Sequence, residues 1–383
     1  MTSHSTTHTA RTAEFVLPGH PDKLADAIAD AIVHEARRRE KRALVAVEVA
    51  LHRYTVFIDG RIGCRGAKAI DFESIVRDVF ESAGFARRVA PNSNRLKVTT
   101  DLFLGPLLPG EAAHREVSDD QSIVTGYACS LPGTDGLPIE HALVRRLAIA
   151  LRNLCREQRD LRLGPDGKVI VFLQESSEAR SFQLADVSLS IQHASGWDAI
   201  SARRAIIASI QREVEEFARA VPGFDARADF ALSINAAGDF VDAGPHGDNG
   251  LSGKKLVADF YGPRVPIGGG AMSGKDFWKA DRAGPLIARK LAVAAVERLG
   301  CRECVVMLGI RPGDREFKIV RVEAESRQPV DHARLSGLVD LRLASMHAWP
   351  DGAGDLVEVA RWGHFTARSM LSTRASRREA VSG

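Results

Sequence analysis

Cysteine is scarce in this 383-residue chain, which contains five, an odd number spread along the sequence. A framework of several disulfides is therefore not expected. Cys301 and Cys304 form a single C-x-x-C, but no second pair accompanies them to hold zinc, and an apolar run follows directly. We interpret both cysteines as structural residues and not as redox groups.

The chain also has no apolar run near the roughly 20 residues that a membrane span requires. Its polar start, MTSHSTTHTA, lacks the apolar core of a signal peptide, so a cytoplasmic location is expected. The net charge of +3 is too small to indicate a nucleic-acid partner. We interpret the basic residues at 372–380 as a frayed terminus.

The composition is otherwise ordinary for a globular protein, with 45% hydrophobic and 26% charged residues, and the length suffices for two or three domains. An order of helix, two strands and helix occurs three times. The predicted elements are helices at 21–41, 71–83, 139–159, 198–219, 281–299 and 331–343, and strand pairs at 43–62, 168–194 and 303–325. We therefore predict an α+β protein of three similar domains, each an antiparallel or mixed sheet with helices on one face.

Local signals add further expectations about the elements. Residues 1–12 are rich in Ser, Thr and His and are expected to be disordered. Asp59-Gly60 is the expected turn of the first strand pair, and LVADFY at 256–261 is expected to be a strand. Glycine- and proline-rich segments at 90–138 and 236–280 hold most of the unusual polar residues, so we expect the functional site to lie in these linking segments.

The most unusual stretch is IGGGAMSGKDFWKAD at 267–281. Its three consecutive glycines allow the backbone to approach a ligand closely. Lysines and carboxylates follow within a few residues, and these groups suit phosphate and Mg²⁺ respectively. The stretch indicates a polyphosphate–metal site, although a glycine-rich surface turn with solvated charges would have the same composition.

A common phosphate-binding loop does not explain this stretch. Gly269–Lys275 reads G-x-x-x-x-G-K, but Asp276 follows where that motif needs a Ser or Thr hydroxyl for Mg²⁺. The preceding YGPRVP carries two prolines and does not resemble the usual apolar strand. We therefore do not expect a Walker-type loop.

Other polar groups occur in similar settings. Gly19–Lys23 places an imidazole, a carboxylate and an amine at the start of a predicted helix, where the helix N-terminus favours an anion. Glu48 interrupts an apolar strand, so it lies on a solvated face or pairs with a cation. The segment 244–255 combines four glycines with a carboxylate and two lysines, which a simple spacer does not need.

Five of these motifs together resemble the signatures of the S-adenosylmethionine synthetases, or methionine adenosyltransferases. The matching motifs are GHPDK at 19–23, DQ followed by GYA at 120–128, PDGK at 165–168, GPHGDNGLSGKK at 244–255 and GGGAMSGKDFWKADR at 268–282. The resemblance extends from about residue 13 to RWGHF at 361–365. It implies three pseudo-symmetric α+β domains with interleaved segments. The limits that we expect are 13–105, 118–236 and 237–375.

The resemblance also implies a reaction and an assembly. In this family the methionine sulfur attacks C5′ of ATP and expels triphosphate, which is then hydrolysed to pyrophosphate and phosphate. A homodimer or homotetramer with active sites at the subunit interface is implied. Because a thioether sulfur is already a nucleophile, catalysis needs mainly alignment and stabilisation of a highly charged leaving group.

The family's roles can be transferred to matching positions of this chain. The residues that would bind ATP are His20, Asp166, Lys168, Asp239, Phe240, Asp248, Lys254, Lys255, Ala271 and Lys275. The catalytic set would be His20, Lys168, Asp248 and Lys275. The methionine or acceptor subsite would comprise Arg61, Phe103, Asp120, Asp248 and Lys279. Asp22 and Asp281 would bind Mg²⁺, of which two ions are expected, and Glu48 would bind K⁺.

The amino-acid half of the site departs from the family pattern. Arg61 stands where the family has a glutamate for the methionine ammonium, and 102–107 replaces a polar segment with LFLGPL. Residues 117–122, VSDDQS, are bulkier than the family's G-A-G-D-Q-G. Asp239 and Lys254 stand where arginine is usual.

Three readings therefore stay open. The preferred one is a divergent S-adenosylmethionine synthetase that holds methionine in another way. The second is an enzyme that adenosylates a different acceptor, with an acidic group facing Arg61 and an apolar group facing Phe103. The third reading is a non-catalytic ATP-binding homologue or regulatory subunit. The second reading predicts that Arg61→Glu improves the use of methionine.

Overall fold

Three sheets organise the computed structural model, which describes residues 8–85, 93–176, 181–226, 229–335 and 337–365. The first sheet contains β2 (Leu44–His52), β3 (Thr55–Gly63), β4 (Lys97–Gly105) and β10 (Gly250–Leu251). The second contains β1 (His8–Val16), β6 (Leu163–Ser176), β7 (Ser181–His193), β8 (Phe224–Asp225) and β9 (Ala231–Ile234). The third contains β5 (Ser122–Cys129), β11 (Glu303–Ile310) and β12 (Lys318–Glu325).

Helices pack against each sheet. They are α1 (Pro21–Arg39), α2 (Phe72–Ala83), α3 (Pro109–Ala113), α4 (Ile139–Glu157), α5 (Ala199–Ala220), α6 (Leu256–Asp259), α7 (Ala280–Leu299), α8 (His332–Leu335), α9 (Pro350–Ala353) and α10 (Leu356–Trp362). Short 3₁₀ turns lie at Ala67–Ala69, Ser93–Arg95, Arg159–Leu161, Gly244–His246 and Leu343–Met346. Among the described helices, none combines the length and apolar character needed to cross a membrane.

The three sheets exchange strands with distant parts of the chain. The N-terminal β1 pairs with β6, β5 pairs with β11, and β10 pairs with β2. β4 lies parallel to β3, so the first sheet is mixed. The predicted α+β class with three helix-backed sheets is confirmed, while the limits 13–105, 118–236 and 237–375 stay predictions.

Several local predictions are wrong. Residues 8–12, expected to be disordered, belong to β1, because the backbone pairs with β6 and the apolar members Ala13 and Phe15 enter the core. LVADFY begins with the helix α6 and is not a strand. The helix expected at 331–343 ends at Leu335, and Gly337 has a φ of 81°, which a helix cannot continue through. Residues 1–7 and 366–383, including the basic tail, lie outside the described residues.

The expected turn at Asp59-Gly60 is also wrong. β2 ends at His52 and β3 begins at Thr55, so the turn lies at Arg53-Tyr54. Gly60 is inside β3 with a φ of 116°, and a Cβ there would lie 2.1 Å from the carbonyl oxygen of Ala46. This glycine therefore permits the close approach of two strands and not a reversal of the chain.

Cys301 and Cys304 are buried and unpaired, as expected for structural residues. Burial raises the pKa of the Cys304 thiol to about 12. The thiol is therefore held in its protonated, unreactive form near neutral pH.

A buried ion pair connects the elements that carry the candidate site. The guanidinium of Arg282, in the first turn of α7, donates to both carboxylate oxygens of Asp30 on α1, at 2.6 and 3.2 Å. Both side chains are completely buried. Asp30 also accepts from the backbone N–H of Gly274 at 3.1 Å, and Arg282 donates to the carbonyl of Met272 at 2.7 Å. The pair thereby fixes the glycine-rich segment between the two helices.

We expect Arg282→Ala to lower the free energy of unfolding by about 3–5 kcal/mol, because Asp30 would remain buried without its cation. Urea titration followed by circular dichroism would measure the loss. Arg38→Ala on α1 is the matched control, since the side chain of Arg38 is 65% exposed and pairs with Glu35 at the surface. It should change the free energy by less than about 0.5 kcal/mol. Equal losses in the two variants would contradict the structural role of the buried pair.

Candidate active site

The first group of site residues surrounds the N-terminus of α1. His20 is the N-cap, and its Nδ1 accepts a hydrogen bond from the backbone N–H of Asp22 at 3.2 Å. Pro21 occupies the first helical position, where no N–H partner is needed. This local geometry explains why the sequence places an imidazole and a carboxylate side by side at a helix end that favours anions.

His20 is held neutral at physiological pH. Burial is the main cause that lowers its pKa to about 4, and the positive charges of Lys255 and Lys168 act in the same direction. The carboxylates of Asp22 and Asp248 oppose the shift. Because Nδ1 accepts a hydrogen bond, the neutral ring carries its proton on Nε2 and can donate from that atom.

Asp22 is almost completely buried beside two lysines. One carboxylate oxygen accepts from the backbone N–H of Leu251 at 3.1 Å, and the other lies 3.2 Å from Nζ of Lys255. Nζ of Lys254 lies 3.9 Å from Asp22 as well. The segment 244–255 therefore delivers its two lysines to the start of α1.

PDGK at 165–168 completes this first group. Burial raises the pKa of Asp166 to about 6, although its carboxylate accepts from the backbone N–H of Gly244 at 2.7 Å. Lys168 is partly exposed, and its Nζ lies 3.3 Å from Glu14 on β1. The carboxylate of Asp248 is exposed and accepts only from the adjacent Asn249 N–H among the described residues. The exposed ends of these side chains leave room for a ligand.

The second group of site residues lies at the N-terminus of α7. Asp281 accepts from the hydroxyl of Ser122 at 2.8 Å and pairs with Nζ of Lys275 at 2.7 Å. A Cβ at Gly270 would lie 2.3 Å from the carboxylate carbon of Asp281. Position 270 therefore requires glycine, because the backbone there passes directly against the carboxylate of Asp281.

Lys279 also belongs to the second group, and its ammonium pairs with Asp119. Asp120, the position expected at the acceptor subsite, is exposed and accepts from the adjacent Gln121 N–H at 2.7 Å. The structure thus brings Asp119, and not Asp120, into contact with Lys279.

The two groups adjoin through backbone contacts. The glycine-rich segment runs beside β2, where the N–H of Val47 donates to the carbonyl of Gly274 at 3.0 Å. A Cβ at Gly253 would lie 2.5 Å from the Cβ of Ala271, so the segments 244–255 and 268–282 touch. The ion pairs nevertheless form two separate groups within the described chain, one around Asp22 and one around Asp281.

The positions expected at the nucleoside lie on a loop beside the second sheet. The backbone N–H of Phe240 donates to Nε2 of His193 at 3.0 Å, and the His193 ring stacks on Trp197 at a centroid distance of 3.9 Å. The side chain of Asp239 is 83% exposed. The loop is held by the hydrogen bond of its backbone to His193. The side chain of Asp239, which stands where the family usually has arginine, faces solvent.

Glu48 and Arg61 lie on the outward face of the first sheet. Glu48 is exposed, accepts from the hydroxyl of Ser252 at 2.5 Å, and stands opposite Asp59 in the register of β2 and β3. The guanidinium of Arg61 forms a two-bond ion pair with Glu111, at 2.7 and 2.8 Å. Its centre also lies 4.5 Å from the ring centroid of Phe103. The charge of Arg61 is therefore matched inside the chain.

Comparison with known proteins agrees with this arrangement. Models of the S-adenosylmethionine synthetase N-terminal, central and C-terminal domains match residues 8–102, 115–240 and 243–349. S-adenosylmethionine synthase 1 of Rhodospirillum rubrum is 34% identical over 342 residues, which cover 86% of this chain and 84% of that protein. The S-adenosylmethionine synthase of Cereibacter sphaeroides is 31% identical over 370 residues, or 92% of each chain.

The chain belongs to the S-adenosylmethionine synthetase family. It is accordingly a transferase of the methionine adenosyltransferase type. Within this synthetase fold, both groups of charged residues lie at helix N-termini, on α1 and α7.

Sequence reasoning missed several residues of this synthetase site. The amine of Lys23, expected at the anion-favouring start of α1, is instead fully buried, pairs with Asp259 and donates to the carbonyl of Ala360 at 2.7 Å, so it ties α1 to α10. Ser122 and Glu14 contact Asp281 and Lys168, but hydroxyl and carboxylate side chains in strands give no distinctive signal. Glu111 could have been sought as a partner for the reversed charge of Arg61.

We expect Gly270→Ala to weaken Mg²⁺-dependent nucleotide binding by about 10–100-fold, because the new Cβ would displace the Asp281 carboxylate. Isothermal titration with a non-hydrolysable ATP analogue, at several Mg²⁺ concentrations, would measure the effect. Gly110→Ala is the matched control, since nothing lies within 4 Å of a Cβ at that position. Unchanged Mg²⁺ dependence in Gly270→Ala would contradict the assignment of Asp281 to the metal site.

Proposed function

We propose that the chain makes S-adenosylmethionine from ATP and L-methionine. The methionine sulfur attacks C5′ of ATP, the C5′–oxygen bond breaks, and triphosphate leaves with the bonding electrons. Hydrolysis of the triphosphate then yields pyrophosphate and phosphate. The observation that carries this proposal is the pair of lysine- and carboxylate-rich groups at two helix N-termini, one around Asp22 and one around Asp281.

The chemistry of these groups suits expulsion of a polyphosphate. Lys168 and Lys255 of the first group and Lys275 of the second offer ammonium groups to phosphate oxygens. Helix N-termini add backbone N–H groups and a favourable dipole for negative charge. Stabilising charge that develops on the leaving oxygens is the largest contribution that such a site can make to the rate.

His20 has a specific role in this proposal. Its neutral ring carries the Nε2 proton and lies in the field of Lys168 and Lys255. A donor of this kind can hydrogen-bond to the oxygen that leaves C5′ without adding a formal charge to the ground state. We assign His20 to that position, with Asp22 fixing the ring through its backbone N–H.

Asp22 and Asp281 are suited to Mg²⁺. The described residues contain no group of three or more His, Cys, Asp or Glu that would hold a metal without a substrate. Mg²⁺ binds through one or two carboxylates together with phosphate oxygens and water, so one carboxylate in each group fits this mode. When bound, the ions would neutralise phosphate charge.

Glu48 is the candidate for K⁺. In the register of the first sheet it stands opposite Asp59, which stands opposite Asp101 on β4. Three carboxylates in a row across adjacent strands repel one another. A monovalent cation beside Glu48 would relieve this repulsion.

Arg61 no longer argues against methionine as the acceptor. Besides the ion pair with Glu111, its guanidinium donates to the carbonyls of Ile62, Phe103 and Pro106 at 2.7–3.1 Å. A cation saturated in this way is a positioning residue that fixes the segment 103–111 against β3. The observation favours methionine over an acidic acceptor, because the positive charge of Arg61 is already matched.

A homodimer or larger homo-oligomer would complete the site. Large apolar side chains are exposed on the outward side of each sheet, namely Phe57, Phe103, Phe172, Ile123 and Val320. Apolar surface of this extent favours association. We propose that a second copy covers these faces and brings its Asp281 group opposite the Asp22 group of the first copy.

A turnover assay with ATP, Mg²⁺ and K⁺, with and without L-methionine, tests the proposed reaction. Mass spectrometry should identify S-adenosylmethionine, together with pyrophosphate and phosphate, only when methionine is present. Binding of ATP without a nucleoside product would refute synthesis and favour a regulatory homologue. A nucleoside adduct that forms only with another acceptor would favour the alternative adenosylation.

We expect Arg61→Glu to impair the use of methionine, because a second carboxylate would face Glu111 and release the segment 103–111. The double variant Arg61→Glu/Glu111→Arg, which reverses the pair, should recover most of the about 1–2 kcal/mol of stability lost. KM for methionine and urea unfolding would be measured for both. An improved KM in the single variant would contradict the positioning role and restore the hypothesis of an acidic acceptor.

Mixing two inactive variants tests the shared site. Lys255→Ala and Asp281→Asn disable different groups, so a mixed dimer would contain one intact and one doubly altered site. After subunit exchange, an equal mixture should recover about a quarter of wild-type activity, because half of random dimers are mixed and each has one intact site. Lack of recovery despite demonstrated exchange would place both groups in the site of a single chain.

A further inference from the structure

A cavity of about 700 Å³ lies away from both groups of the candidate active site. It opens between the C-terminal end of α1, the side of α7 and the segment 339–351. Its volume is within the range of about 300–1,000 Å³ that small organic ligands occupy in proteins. Nothing in the proposed synthetase reaction uses this cavity.

The lining of the cavity is predominantly basic. Its cationic members are Arg37, Lys41, Arg42, Lys290 and Arg342, and its carboxylates are Glu116, Asp340 and Asp351. Five cations against three carboxylates leave an excess of two positive charges. A cleft with a net positive lining raises the local concentration of anionic ligands.

Three of the five cations have a carboxylate within 4 Å. Arg37 and Lys41 share Asp351, at 2.9 and 3.8 Å, and Arg342 pairs with Asp340 at 2.6 Å. By contrast, neither Arg42 nor Lys290 has a carboxylate within 4 Å in the part of the chain that the structure describes. These two are the lining cations without an ion pair of that length.

Lys290 is partly buried on α7, and this burial lowers the pKa of its ammonium group, while the negative charge of Asp340 acts in the opposite direction. A desolvated cation without an ion pair is unfavourable, and a bound anion would relieve that cost. Arg42 lies over the ring of Trp278, with its guanidinium carbon 5.9 Å from the ring centroid. Arg42 and Lys290 therefore line a cavity whose wall is partly aromatic.

Apolar side chains occupy other parts of the lining, including Val339 and Met346 together with Trp278. A simple inorganic ion would leave these side chains and most of the volume unused. The fork-shaped guanidinium of Arg42 suits a phosphate dianion, and the apolar wall suits an organic body. We propose that this cavity binds a small organic phosphate ester, with its phosphate at Arg42 and its organic body beside Lys290, at a site separate from the catalytic groups.

The position of Trp278 links this second site to the first. Trp278 belongs to the glycine-rich segment, lies between Lys275 and Asp281 in the sequence, and forms part of the cavity lining. A ligand in the cavity would thus contact the segment that carries the second catalytic group. The proposal itself concerns binding and does not depend on the acceptor of the reaction.

Pyridoxal 5′-phosphate is a suitable probe, because it has a phosphate ester, a small aromatic body and an aldehyde. The aldehyde condenses with an unprotonated lysine amine and releases water, and borohydride then reduces the imine to a stable secondary amine. The intact protein would be labelled and then digested. Mass spectrometry of the peptides would report the labelling of each lysine separately. We expect saturable labelling of Lys290, and only non-saturable labelling of the exposed Lys68.

Arg42→Ala should raise the probe concentration for half-labelling of Lys290 by about tenfold, as loss of one charged hydrogen bond predicts. The matched control Arg203→Ala, an exposed arginine on α5, should leave this concentration unchanged. Labelling of Lys290 that resembles that of Lys68, or equal behaviour of the two arginine variants, would overturn the proposal.

Competition distinguishes an ester from phosphate alone. Adenosine 5′-monophosphate should protect Lys290 at lower concentrations than inorganic phosphate. Equal protection by the two would refute the organic part of the proposal. Because the readout is resolved by residue, binding at the catalytic groups would appear on Lys168, Lys255 or Lys275 and not on Lys290.

Discussion

The buried pair of Asp30 and Arg282 is the constraint on which the rest of the site depends. Two buried charges need hydrogen bonds in place of solvent, and the groups that supply them to Asp30 and Arg282 come from α1, α7 and the glycine-rich segment. The same two helices carry Asp22 and Asp281 at their N-termini. Holding this pair together therefore sets the relative positions of the two groups of candidate site residues, without requiring them to touch in one chain.

The fold class could be predicted from the sequence, and so could the concentration of lysines and carboxylates around Asp22 and Asp281. Regular apolar spacing identified α1, α4, α5 and α7 and the main strand pairs, because these elements bury one face. The glycine-rich and lysine-rich motifs predicted His20, Asp22, Lys255, Lys275 and Asp281 as site residues; the structure places them in two charged groups, and their roles stay predictions. The structure brings the members of each motif into contact with partners distant in the sequence.

The remainder depended on contacts that no local pattern encodes. The pairing of β1 with a strand more than 150 residues away decided that residues 8–12 are ordered, against their polar composition. The role of Arg61 depends on its ion pair with Glu111, which lies 50 residues away in the sequence. Gly60 resembles a turn residue in the sequence, but in the structure it permits two strands to approach closely. Sequence spacing also could not decide which of two adjacent aspartates, Asp119 or Asp120, would contact Lys279.

A crystal structure with Mg²⁺, a non-hydrolysable ATP analogue and L-methionine would test the central claim most directly. We predict that the triphosphate lies between Lys168 and Lys255 of one chain and Lys275 of a second copy. The ion pair of Arg61 with Glu111 should remain intact, and the methionine sulfur should point toward C5′. A triphosphate bound away from these lysines, or Arg61 released from Glu111 to contact an acidic acceptor, would contradict the account.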